Sequence, residues 1–151
     1  MKSLMVLLAI TLSGSLAARD TTLGKGVTLA SATPIAAVAE RPAEFVGKTL
    51  RVDGVATAVC THMGCWMAVA PEGPESPERE AAGKTIRLKV DDGVIVFPVT
   101  AKGKRVSAEG VFEAVGAGAE AAEAAGEHAK VDPKASQQYQ LKATGAIIRE
   151  R

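Results

Sequence analysis

Aromatic side chains are scarce: three Phe, one Tyr and one Trp make up 3% of the 151 residues. That leaves little material for the stacking platforms that bind single-stranded nucleic acid. An excess of charge of one sign is lacking as well. Lys and Arg number 18 against 17 Asp and Glu, a formal net charge of +1, which argues against electrostatic capture of nucleic acid or an anionic membrane. The longest apolar run falls short of the roughly 20 residues that a membrane-spanning helix needs. Ser107 and Ser136 have no Gly-x-Ser-x-Gly context, and neither a His-x3-His pair nor a phosphate-cradling glycine loop occurs. No internal repeat is apparent.

What remains concentrates in one stretch, Val59, Cys60, Thr61, His62, Met63, Gly64, Cys65, Trp66, Met67. It holds both cysteines, the only tryptophan, one of two histidines and two of four methionines. The start of the chain gives the compartment. Lys2, an apolar run from Leu4 to Leu12, and the small residues Ser15 and Ala17 form the three parts of a secretory signal peptide, residues 1–17. No cysteine follows the small residues, so a lipid anchor is not indicated. The expected location is periplasmic or secreted, an oxidising compartment in which two cysteines can pair.

About 130 residues remain, enough for one domain with a single core. Residues 18–32 read as an extended entry segment, with Val27 and Leu29 alternating as a short edge strand. Thr33 and Pro34 predict a helix start, Thr33 as N-cap, with Ile35, Val38 and Ala39 on one face and Pro42 at the end. Residues 49–60 alternate as a long strand, Gly54 marking a bulge. Residues 65–70 pair back on it as a hairpin. Residues 71–83, with three prolines, read as a surface loop. Residues 85–90 alternate strictly, and Asp91, Asp92 and Gly93 predict a hairpin turn into a strand at 94–99 buried on both faces. A strand at 105–112, an Ala/Glu helix at 114–130 carrying His128 and a closing strand at 139–148 complete the chain. Five or six glycine-bent strands with one or two short helices predict a mainly β domain at 33–151, an OB-like barrel, with a β-sandwich as the alternative.

The two cysteines admit three readings. Placed at the ends of a four-residue turn between paired strands, they could form a structural disulfide that stiffens the hairpin. They could instead bind a soft metal. Thiolate, thioether and imidazole from Cys60, Cys65, His62, Met63 and Met67 are the donors that favour Cu(I), with zinc as the alternative ion. Cys-x4-Cys alone is no zinc signature, because no second pair exists in the chain. The third reading is a thiol-redox protein in which His62 lowers a thiol pKa. Bland roles compete: Met63 and Met67 as core fillers, Trp66 as a core anchor, His62 and His128 on the surface.

Several segments together resemble a known family: Gly47, Lys48, Thr49; Arg51, Val52, Asp53, Gly54; Val59, Cys60; Gly64, Cys65, Trp66, Met67; Ile86, Arg87; Phe97, Pro98; Glu109, Gly110; and Ala143, Thr144, Gly145. They are similar to an exported bacterial family, domain of unknown function 4920. The resemblance implies a signal peptide or lipoprotein start and an OB-like barrel, and no established activity. Family members often differ where this chain has Thr61, His62 and Met63, which leaves Cys60 and Cys65 as the firmer ligands. The expectation is a periplasmic binding protein with a Cys-x4-Cys soft-metal site. Its partner is a metal ion or a periplasmic protein, not nucleic acid. The alternative is an interaction module pinned by a Cys60–Cys65 disulfide.

Overall fold

A computed structural model of the chain describes residues 20–72, 85–115 and 138–150. Strand β1 (Thr21–Gly24) is followed by helix α1 (Ile35–Glu40), then β2 (Thr49–Val59), β3 (Trp66–Ala70), β4 (Ile86–Lys89), β5 (Arg105–Val115) and β6 (Gln138–Arg149). Single 3-10 turns occur at Pro42–Phe45 and Val99–Ala101. The protein is mainly β. Five strands close in the order β2-β3-β4-β6-β5, with β5 pairing to both β6 and β2. All pairs are antiparallel except β4 with β6. This is the mixed five-stranded barrel expected of an OB-like domain.

The sixth strand lies outside the ring. One edge of β6 pairs with β5 from Gln138 to Arg149. Its other edge is shared, β4 taking Leu141 and Lys142 and β1 taking Gly145 to Ile148. β1 thus covers backbone that β4 is too short to reach, which shields an open edge.

Alternation fills the barrel. Val52, Met67, Val69, Leu88, Val106, Leu141 and Ile148 are all 2% exposed or less, and Ile35 and Val38 of α1 join the same core. Gly54 is where β2 passes under α1. A Cβ there would strike the Ala70 carbonyl oxygen and the Val69 and Ile35 side chains, so glycine serves close approach. The bulge expected at Gly54 lies instead between Ala56 and Ala58.

Several local expectations are corrected. The early strand is β1, not Val27 with Leu29. The Glu109 carboxylate accepts the amides of Thr28 and Leu29, both at 2.7 Å, and Arg51 donates to the carbonyls of Leu29 and Ala30. Side chains therefore take the backbone groups that a strand would have used. Pro34, not Thr33, occupies the helix N-cap: its carbonyl accepts the amides of Ala37 and Val38 at 3.1 and 3.2 Å, while Thr33 lies outside the helix with its amide on the Arg51 carbonyl at 2.7 Å.

The strand expected at 94–99 does not form. β4 already has β3 on one side and β6 on the other, so no edge remains for a hairpin partner. The segment turns at Gly93 and crosses the barrel end with Ile95 and Phe97 buried and Val94, Val96 and Val99 exposed. β5 runs three residues beyond the expected 112 and includes Ala114 and Val115. The signal peptide, most of the 71–83 loop and the rest of the 114–130 helix with His128 lie outside the described residues.

Candidate functional site: the dithiol turn

The β2–β3 hairpin places the cysteines. Val59 pairs with Met67, and the Cys60 amide donates to the Trp66 carbonyl at 3.0 Å, so the residue across from Cys60 is Trp66. Cys65 sits one residue deeper in the turn. The turn is fixed from three directions. Gly64 N–H donates to the Cys60 carbonyl (3.1 Å), Val90 N–H to the Cys65 carbonyl (3.0 Å), and Phe97 N–H to the Gly64 carbonyl (2.9 Å). Gly64 has φ of 63°, and a Cβ there would stand 2.9 Å from Val96 Cγ1. Both its backbone conformation and its surroundings call for glycine.

Both cysteines are free thiols, partly buried, with their Sγ atoms 3.9 Å apart. A disulfide needs about 2.05 Å. The structural staple entertained as the alternative is therefore not formed in this structure, and the one-residue offset accounts for it: the thiols are neighbours without being directly opposed. The two are chemically unequal. The backbone amide of Met63, followed by those of His62 and Cys65, favours the Cys60 thiolate against the cost of burial and brings its pKa down to about 7. Burial pushes the Cys65 thiol up, and its hydrogen bond to Cys60 adds to this. The Lys89 ammonium works in the opposite direction.

The other candidate ligands separate. His62 and Met63 are exposed on the turn, Met63 at 53%. Met67 is fully buried in the barrel core. Among the described residues no three His, Cys, Asp or Glu side chains gather as a ready metal cage. The structure thus brings Cys60 and Cys65 together, leaves His62 and Met63 free to approach, and commits Met67 to packing.

Trp66 is not the core anchor the sequence suggested. It is partly buried on the outer face, with the Arg87 guanidinium 5.5 Å from its ring centroid and Lys89 opposite it in register. Sequence reasoning gave Arg87 and Lys89 no role at the turn. The alternation of residues 85–90 set them on one face; the pairing of β4 with β3, which sets that face beside the thiols, left no local signal. No protein-family model matches the chain, and no curated protein or solved structure matches it.

Proposed function

We propose that the protein binds one soft metal ion, Cu(I) ahead of zinc, through the thiolates of Cys60 and Cys65. The observation that carries this reading is the pair of free thiols held 3.9 Å apart. Two thiolates bound to one ion at about 2.3 Å stand about 3.8 Å apart at the tetrahedral angle of zinc and about 4.0 Å apart at the trigonal angle of a three-coordinate ion. An ion fits between the sulfurs without refolding the turn. Structural zinc takes four protein ligands, whereas thiolates and thioethers select Cu(I), and Met63 offers an exposed thioether on the same turn. The reading suits an exported binding protein and requires no catalytic step.

Anaerobic titration of the reduced protein with Cu(I) against a chromophoric chelator tests it. One copper per chain is expected, lost in both Cys60→Ser and Cys65→Ser. Wild-type protein with two reduced thiols that takes up no more copper than the double serine variant overturns the reading.

A second reading, thiol–disulfide exchange, is favoured by the inequality of the two thiols. Cys60 thiolate would attack a disulfide and release one thiolate. Cys65 would then displace the second, leaving a Cys60–Cys65 disulfide and two reduced thiols. Equilibration in a glutathione redox buffer separates the two. Under the metal reading Cu(I) protects both thiols from oxidation; a dithiol that cycles with the buffer and ignores copper favours exchange.

A further inference from the structure

We infer that the outer face of β3 and β4 recognises the carboxylates of a small thiol ligand and presents its sulfur to the ion at Cys60 and Cys65. The thiol part rests on the metal reading above; the carboxylate part stands on the sheet itself.

Cys60, Trp66 and Lys89 form one row across three strands. The Cys60 amide donates to the Trp66 carbonyl, and Trp66 is the register partner of Lys89. With neighbouring strands about 4.8 Å apart, the row spans about 10 Å. Arg87 lies two residues along β4 on the same face, its guanidinium over the Trp66 ring. The Lys89 charge is close enough to act on Cys65.

Neither cation has a carboxylate partner among the described residues. Arg41, Arg51, Lys104, Arg105, Lys142 and Arg149 do, while Lys25, Lys48 and Lys102 share the lack but not the position beside the thiols. The buried Arg87 Nε also lacks any acceptor. Of the neighbouring carboxylates, Asp91 is held by Lys142 at 3.0 Å.

Two neighbouring cations with no carboxylate partner among the described residues repel each other, and a ligand carboxylate relieves that repulsion while meeting the planar fork of arginine. A bis-thiolate Cu(I) ion keeps room for a third sulfur. The ligand these features describe is a peptide-sized thiol with one or two carboxylates roughly 5–10 Å from its sulfur.

Trp66 is the only tryptophan of the chain, so its fluorescence reports on this face alone. The probe is S-methylglutathione on reduced, metal-free protein, since it keeps the carboxylates and has no free thiol. A saturable change in Trp66 emission is expected, at least about tenfold weaker for the dimethyl ester and for the Arg87→Gln/Lys89→Gln variant. With one Cu(I) bound, glutathione itself should bind at least about tenfold tighter than its S-methyl form.

The ester comparison uses wild-type protein and does not depend on the variant folding. Equal binding of acid and ester, no saturable change, or tighter binding of a single-stranded oligonucleotide overturns the inference. If copper stoichiometry fails while S-methylglutathione still binds through its carboxylates, the metal reading falls and the recognition face stands. If copper binds and S-methylglutathione does not, only the inference falls.

Discussion

On the inner face of β3 and β4, Met67, Val69, Ile86 and Leu88 are each 4% exposed or less, while on the outer face Trp66, Ala68, Arg87 and Lys89 are only partly covered. The same two backbones carry both sets, one residue apart. The inner set acts through area: each large apolar side chain contributes about 1.5–3 kcal/mol by leaving water, with little regard to its identity. The outer set acts through identity. A guanidinium over an indole and an ammonium near a thiol add little to stability in a solvated setting, yet the Lys89 ammonium acts on the Cys65 thiol, against the burial and the Cys60 bond that push it up. Stability and chemistry are therefore separable in this ribbon by substitutions at adjacent positions.

The largest separation is expected between Leu88 and its neighbour Arg87. Leu88→Ala removes a fully buried side chain and should cost about 2–5 kcal/mol in urea unfolding. Arg87→Ala should cost no more than about 1 kcal/mol, since its partner is a half-covered ring. Equal costs would mean that the outer face is structural after all.

The thiols sharpen the comparison on the chemical side. Only the thiolate is nucleophilic, so Cys60, with its pKa near 7, should lose alkylation rate as pH falls below about 7 and level off above it. Cys65, raised by burial, should still be gaining rate at pH 9. Comparing Cys65→Ser with Cys60→Ser at pH 7, iodoacetamide should modify the remaining Cys60 at least about tenfold faster than the remaining Cys65. Equal rates, or the reverse order, would remove the amide-stabilised thiolate from the account.

Much of the ribbon was legible in the sequence because period-2 alternation is a local signal. The strand at 85–90, the hairpin around the Cys turn and the closing strand all follow from it, and with them the barrel. Residues 94–99 show where that signal stops. Val94, Ile95, Val96, Phe97 and Val99 have the composition of a buried strand, but strand formation also needs a free neighbouring edge, and β3 and β6 occupy both edges of β4. Thr33 failed as a cap because the first helical amides, those of Ala37 and Val38, go to the Pro34 carbonyl, so the helix starts one residue later than expected. The thiol pair was legible as a candidate from residue type alone. Its one-residue offset is set by the register of the β2–β3 hairpin, and the cations beside it come from the pairing of β3 with β4, residues about twenty positions apart, which no local pattern encodes.

Met67 is the residue that both sides of the comparison could claim. Its place two residues after Cys65 makes it a candidate thioether ligand in the sequence, and its sulfur is the right kind of donor for Cu(I). Alternation along β3 turns it inward instead, and it is fully buried beside Val69 and Leu88 in the core. A core thioether can be replaced by a side chain of similar volume, so Met67→Leu should cost less than about 1.5 kcal/mol of stability. If packing is its whole role, copper stoichiometry and affinity should stay within about twofold of wild type, because the thiol spacing depends on hydrogen bonds from Gly64, Val90 and Phe97 rather than on this side chain. A tenfold loss of Cu(I) affinity in a normally folded Met67→Leu protein would place its sulfur on the ion. It would also show that the end of the barrel core and the dithiol turn are one site, with the boundary between the two faces drawn one residue too early.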